Sequence, residues 1–344
     1  MFGESGRHAE ERPILLVPYS WIGDFVRCHS VVKVANSRWP GRPIDVLATA
    51  LCAPLADYMP GVRRTIVWDL PRGRLAPSDQ WRLAQRLRIE DYGTALIMSR
   101  KWKAALAPFL AGIPERVGMV GEARFGLIND LRWGEKKLPR MIDRCAVVAL
   151  PKDADVPADW RLPELIVPPE EIERWRRRTG IAGSGHAVVA LCPGAVGPGK
   201  RWPERNYAEL ARQLAADGLD IWVVGGPDEK ASAEIISAGG KFAVDRTATD
   251  LRDAILALAA ADAAIANDSG LLHVAAAMGK PTIGLFGPTS PALWAPLNPL
   301  AATLEAPRPM GATAGSADGR QCRIDDIPVN NVLEATRTII AGLR

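Results

Sequence analysis

The sequence predicts two successive α/β domains, each a doubly wound parallel sheet covered by helices on both faces. Three observations carry this reading. Short, continuous apolar runs alternate with longer amphipathic stretches, the pattern of strands buried on both faces and helices packed over them. The alternation runs through one full set in the first half and repeats in the second. The 344-residue length suits two domains rather than one.

In the first half, strands are expected at residues 14–17, 44–48, 65–68, 95–98 and 117–120, with helices at 25–37, 78–88 and 103–110. In the second half, strands are expected at 187–191, 221–224, 242–244, 263–266 and 282–286, with helices at 204–217, 228–238, 251–260 and 271–278. Residues 151–185 are dense in Pro, Asp and Gly and enclose one charged helix at 170–178, which marks them as the linker. The first domain is therefore placed at 1–160 and the second at 161–330, followed by a terminal helix from 331 to 344. Residues 306–319, rich in Gly, Ala and Pro, read as a loop. In paired domains of this kind, ligands bind beyond the carboxyl ends of the strands, which puts the site in a central cleft that the two domains face.

Composition excludes several classes. The 48% apolar and 24% charged content is that of a globular protein. No run reaches the roughly 18 apolar residues of a membrane-spanning helix, and the polar first twelve residues lack the apolar core of a signal peptide. A cytoplasmic protein is expected. The five cysteines are scattered and never form CxxC, so they read as reduced, packed thiols, and with four histidines no zinc cluster is spaced in the chain.

Net charge is +4, unevenly divided: residues 1–150 hold 23 Lys+Arg against 15 Asp+Glu, and residues 151–344 hold 20 against 24. The first half should meet an anionic partner. No basic stripe is interleaved with aromatics as nucleic acid would require, whereas an anionic lipid or glycolipid surface fits.

Four strand-end stretches carry the chemistry. Ser20-Trp21-Ile22-Gly23-Asp24 follows the first strand; Gly23 suits a tight turn, and Asp24 opens a helix whose N-terminus favours a carboxylate. Asp24 is either a cap or a base facing the cleft. Cys192-Pro193-Gly194-Ala195 leads through a glycine-rich loop to Lys200-Arg201-Trp202-Pro203, two cations suited to a diphosphate, with Trp202 anchoring the loop. The GxxxxGK[ST] spacing of a P-loop is absent. Asn267-Asp268-Ser269-Gly270-Leu271-Leu272-His273 joins a buried strand to an Ala-rich helix, so the N–H groups of Ser269, Gly270 and Leu271 form an anion site. His273 is either a core residue or part of that site. Phe286-Gly287-Pro288-Thr289-Ser290-Pro291 ends another strand on the same edge. After the strand at 221–224, Gly225-Gly226-Pro227-Asp228-Glu229 offers Asp228 and Glu229 to ribose hydroxyls. No GxGxxG follows a strand, which argues against hydride chemistry.

Taken together, SWIGD, CPGA with KRWP, NDSGLLHVAAA and FGPTSP resemble the family 9 glycosyltransferases, which add heptose to the inner core of lipopolysaccharide. The resemblance spans residues 13–296. Two further stretches, KAALAPFLAGIP (103–114) and GEARFGLIND (121–130), look like the acceptor-domain sequences of the branch that adds to the first core heptose. The resemblance implies a GT-B fold, inverting transfer, ADP-L-glycero-β-D-manno-heptose (ADP-heptose) as donor, a lipopolysaccharide inner-core acceptor at the cytoplasmic face of the inner membrane, and no metal or other cofactor. It makes Asp24 the base, sets Lys200 at the diphosphate and Asp268 at the donor sugar, and turns the backbone of Ser269, Gly270 and Leu271 to the diphosphate; from their strand-end positions, Gly194, Ala195, Trp202, Asp228, Glu229 and His273 complete the expected donor site. Lys101, Lys103 and Arg124 are the expected acceptor cations. A family member with a different core acceptor, a non-hydrolysing nucleotide-sugar epimerase on the same architecture, and a non-catalytic nucleotide-sugar binding module are the alternatives.

Overall fold

The computed structural model describes residues 12–69, 76–156, 161–181, 185–238, 242–248, 250–307 and 322–342. The expected 306–319 loop lies outside these from residue 308 on. The chain forms two compact units, Met1–Pro163 and Glu164–Arg344.

In the first unit, β1 (Ile14–Val17), β2 (Ile44–Ala48), β3 (Val62–Val67), β4 (Thr94–Ile97), β5 (Glu115–Met119) and β6 (Asp130–Arg132) form one parallel sheet in the order β3-β2-β1-β4-β5-β6. The central strands β1 and β4 are buried along their whole length, which is why ILLV and TALI carry no polar alternation. The helix Pro77–Ile89 turns Gln80, Leu83, Ala84 and Leu87 inward at helical spacing. Leu83 and Leu87 join Leu15, Tyr92 and Ile97 in the core on that face. Beside Leu15 of β1, Asp45 on β2 is fully buried and receives hydrogen bonds from Arg63 at 2.7 and 2.6 Å, Arg64 at 2.9 Å and Tyr92 at 2.5 Å.

The second unit repeats the plan with β7 (Val188–Cys192), β8 (Asp220–Val223), β9 (Val244–Asp245), β10 (Ala263–Asn267), β11 (Thr282–Phe286) and β12 (Ala301–Glu305), ordered β12-β11-β10-β7-β8-β9. The helix Glu204–Ala216 buries Tyr207, Leu210, Ala211 and Leu214 on one stripe and packs beside the helix Val329–Ala341. That last helix, expected as an appendage from 331, starts at Val329 and lends Val332, Leu333 and Ile340 to the second unit's core. The stretch read as a helix at 228–238 divides into a 3-10 turn, Pro227–Glu229, and a helix, Lys230–Ser237.

In both sheets the winding reverses beside the first strand, between β1 and β4 and between β7 and β10. Crevices at such reversals are where open α/β sheets bind ligands. The turns after β1, β4, β7 and β10 are therefore where the candidate residues count.

Candidate active site

In the second unit, the turn after β7 and the turn after β10 are tied together by one side chain. Asn267, the last residue of β10, is fully buried. Its Nδ2 donates to Pro193 O at 2.7 Å, and its Oδ1 accepts from the Trp202 N–H at 3.1 Å and from the Tyr207 hydroxyl at 3.1 Å. Trp202 is itself buried, donates from its indole to Ile327 O at 3.0 Å, and meets the Tyr207 ring edge-on at 4.9 Å. The donor contact expected of Trp202 is corrected: its ring is sealed inside the fold, where it anchors the loop.

This staple fixes the stem of the loop that presents Lys200. Gly197 and Gly199 adopt positive φ there (114° and 70°), backbone that side chains rarely tolerate. Lys200 Nζ lies 2.7 Å from Asp268 Oδ2, and Thr289 Oγ1 donates to the same oxygen at 2.7 Å. His273 Nε2 stands 4.0 Å from Asp268 Oδ1. The carboxylate is 7% exposed and the lysine side chain 24%, so the cation is the member of the pair that meets solvent.

Ser269 occupies the N-cap of the helix Gly270–Ala277, yet its side chain does not cap it. Its Oγ is buried and without a hydrogen-bond partner among the described residues. The first N–H groups of a helix have no intrahelical acceptor. Those of Gly270 and Leu271 and the buried Ser269 hydroxyl follow directly on Asp268, the residue that holds the Lys200 ammonium, a grouping suited to an anion. His273, though 6% exposed, sits against Asp268 rather than among purely apolar neighbours.

Ala195 is buried and its carbonyl accepts from Arg201 Nε at 3.0 Å. Glu229 closes the edge toward β8. Its carboxylate accepts from the Gly226 N–H at 2.9 Å and lies 3.5 Å from the Arg201 guanidinium. A Cβ on Gly194 would fall 2.7 Å from that carboxylate, so only glycine allows the approach. Asp228, beside it, is exposed. Burial drives the Cys192 thiol at the foot of this turn up to about 12, followed by the charge of Glu229, so it is a packed, unreactive group.

In the first unit, Asp24 lies in the first turn of the helix Ile22–Arg38, immediately after β1. Gly23 is the second residue of that helix rather than part of a preceding turn. Asp24 Oδ1 accepts from Arg27 Nη1 at 3.1 Å; the arginine side chain is 3% exposed and the carboxylate's 16%. Tyr19 sits close by, its phenol pushed above the usual range by burial first and then by Cys145, Glu135 and Asp24. A carboxylate with a buried cation behind it and an outlet to solvent is suited to accept a proton.

The turns after β4 and β5 hold the expected acceptor cations. Lys101 is exposed at the N-cap of the helix Trp102–Leu110, and Lys103 is half-buried on its first turn. Arg124 is corrected. It is 1% exposed, and its guanidinium donates to the carbonyls of Ser99 and Met119, joining the ends of β4 and β5. It props the turn in which Glu122 and Ala123 adopt positive φ (30° and 47°) and from which Glu122 accepts the Trp102 N–H at 3.1 Å. A buried cation on carbonyls holds the turn that bears the lysines and does not itself meet a ligand's phosphate.

Sequence reasoning left Thr289, Arg27 and Asn267 out of the site. Thr289 and Asn267 stood inside recognised stretches, but nothing in the chain tells which strand end each would face. All five cysteines are free and buried. Among the described residues, no three His, Cys, Asp or Glu side chains come together as a metal-binding group.

Comparison with known proteins agrees with this architecture. The sequence profile of "Glycosyltransferase family 9 (heptosyltransferase)" matches residues 80–321. The lipopolysaccharide heptosyltransferase 2 of Escherichia coli K12 is 36% identical over 301 residues, 83% of this chain and 85% of the relative. A lipopolysaccharide heptosyltransferase 1 of Pseudomonas aeruginosa is 27% identical over 295 residues, 81% and 79% of the two chains. The solved structure of the E. coli ADP-heptose LPS heptosyltransferase II superposes with a TM-score of 0.85 at 32% identity, covering 96% of this chain and 99% of that one. A family 9 glycosyltransferase from Veillonella parvula shares the fold, with a TM-score of 0.85 at 18% identity over 96% and 98% of the chains. The fold is thus GT-B, and the chain is an enzyme that belongs to glycosyltransferase family 9.

Proposed function

We propose that this chain moves L-glycero-D-manno-heptose from ADP-heptose to the first heptose of the lipopolysaccharide inner core, with inversion at the anomeric carbon. The observation that carries the reading is the Lys200–Asp268 pair beside the start of the helix Gly270–Ala277, a cation and free backbone donors at one sheet reversal. The greater likeness to relatives named heptosyltransferase 2, at 36% identity, than to the P. aeruginosa heptosyltransferase 1, at 27%, favours the first core heptose as acceptor.

In this reaction an acceptor hydroxyl oxygen bonds to the donor's anomeric carbon as the bond from that carbon to the diphosphate breaks. The leaving electron pair goes to the β-phosphate oxygen, where Lys200 and the N–H groups of Ser269, Gly270 and Leu271 stabilise the growing charge. The hydroxyl proton passes to Asp24. Asp268 and His273 face the donor sugar, and Glu229 faces the ribose. Lys101 and Lys103 draw the anionic acceptor. The same excess of cations in residues 1–150, 23 against 15 anions, favours a cytoplasmic enzyme resting on the anionic face of the inner membrane. No helix of the described residues is long and apolar enough to cross a membrane. Charge on the leaving group is met by side chain and backbone, so turnover needs no metal or cofactor.

The test is direct. The protein is incubated with ADP-heptose and core acceptors of defined length, with and without EDTA, and the products are weighed. One added heptose on the acceptor that ends in the first core heptose, in both conditions, is the expected result. Transfer only to the shorter acceptor would reassign the step, and loss with EDTA would remove the cation-and-helix explanation of the leaving group.

A further inference from the structure

Asp268 poses a problem for donor binding. Its carboxylate is 7% exposed and its close ionic partner is Lys200, the same ammonium that the proposed function assigns to the diphosphate. As the diphosphate arrives, Lys200 is shared or withdrawn, and a buried carboxylate left without a partner is strongly disfavoured. Something must hold Asp268 while the lysine serves the ligand.

We infer that Thr289 is that positioning residue: it keeps Asp268 satisfied when Lys200 turns to the diphosphate, and so sets donor affinity without touching the donor. Its Oγ1 donates to Asp268 Oδ2 at 2.7 Å, the oxygen that Lys200 also occupies. His273, 4.0 Å from the other oxygen, is too distant for a full hydrogen bond and cannot replace it alone. The turn bearing Thr289 is also pinned to the turn bearing Lys200. A Cβ on Gly287 would fall 3.0 Å from Gly199 O and 2.9 Å from the Ile324 backbone nitrogen, so the segments touch through bare backbone. Both turns therefore hold their backbones in place, and only the Lys200 side chain, 24% exposed, swings toward the ligand while Thr289 keeps its contact. Removing the hydroxyl leaves Asp268 more dependent on Lys200 and makes the ammonium harder to withdraw.

This inference rests on the proposed function, and the experiment separates the two. Wild type, Thr289→Val, Thr289→Ser and Thr289→Ala are titrated calorimetrically with ADP-heptose, with ADP and with adenosine, and their melting temperatures are recorded. Val keeps the shape and loses the donor, Ser keeps the donor, and Ala is a second hydroxyl-free variant should Val fail to fold. The expected result is weaker binding of ADP-heptose and ADP by about 10- to 100-fold in Val and Ala, the scale of one hydrogen bond to a charged group. Adenosine should bind within about twofold of wild type, and Ser should restore diphosphate binding. Unchanged ADP affinity in the hydroxyl-free variants, equal losses in Ser and Val, or an equal loss for adenosine would each overturn the role of Thr289 and leave the proposed function standing. A wild type that does not bind ADP-heptose would overturn both.

Discussion

Lys200 and Asp268, 68 residues apart in sequence, meet at 2.7 Å because the turns after β7 and β10 are adjacent across the reversal of the second sheet. The pairing supplies a cation that is restrained yet reachable, beside a helix start with spare N–H groups.

Lys200→Ala should weaken ADP-heptose binding by about 10- to 150-fold, the value of one charge-assisted hydrogen bond. It should also lower the melting temperature, since Asp268 loses its cation. Lys200→Arg should recover part of the affinity, because the guanidinium fork differs in shape. Donor titration and thermal melts check both; wild-type affinity in the Ala variant would remove Lys200 from the donor site.

Asn267→Ala strips partners from Pro193 O, the Trp202 N–H and the Tyr207 hydroxyl at once. All three lie in the core of the second unit. Denaturant unfolding should show a loss of about 3 kcal/mol or more, from several buried polar groups left unpaired. A loss under about 0.5 kcal/mol, typical of surface changes, would mean the staple is not what fixes the Lys200 loop.

Arg124 and Lys103 should behave differently despite their shared charge. Arg124→Ala should chiefly lower stability, because its guanidinium is buried on the Ser99 and Met119 carbonyls. Lys103→Ala should chiefly raise the acceptor KM, and that effect should fade with added salt as the Debye length shrinks below about 8 Å. Steady-state kinetics at two ionic strengths, with melts, tell the two patterns apart.

Asp45 should give the first unit an acid-sensitive stability. Burial raises its pKa, but hydrogen bonds from Arg63, Tyr92 and Arg64 outweigh that and hold it below the usual carboxylate range. A carboxylate depressed in the folded state stabilises at pH above its unfolded value, near about 3.9, and the contribution is lost as pH falls from there through the folded value. Unfolding free energies measured from pH 6 to pH 2 should decline across that window, and Asp45→Asn should be less stable at pH 6 with a shallower acid decline. An unchanged slope in the Asn variant would relieve Asp45 of this role.

Most of the architecture was legible because buried parallel strands are nearly uniform apolar runs: ILLV of β1 and TIGLF of β11 begin and end where the pattern places them. Two strands were not. β6 is only Asp130-Leu131-Arg132, and β12, Ala301–Glu305, is half-exposed; both are sheet edges, where one side lacks a neighbour and the apolar signal fades. The sequence pattern put Asp24, Lys200 and Asp268 in the segments that follow β1, β7 and β10, and the structure has them there. It could not foretell that Arg124 would be swallowed under the ends of β4 and β5, or that Trp202 would be sealed against Tyr207. Such outcomes depend on contacts between distant turns, which local spacing does not encode.

In the proposed transfer Asp24 takes the proton of the attacking hydroxyl, and a paired comparison of two proteins decides whether it does. Wild type and Asp24→Asn are compared for heptose transfer from ADP-heptose to the core acceptor, alongside donor affinity and melting temperature. Asparagine keeps the size of aspartate but cannot accept the proton. The predicted result is a fall in kcat on the order of 10²–10⁴-fold with donor affinity near wild type, measured below the melting temperature, which drops as buried Arg27 loses its counter-charge. An Asp24→Asn enzyme that transfers heptose at the wild-type rate would contradict it.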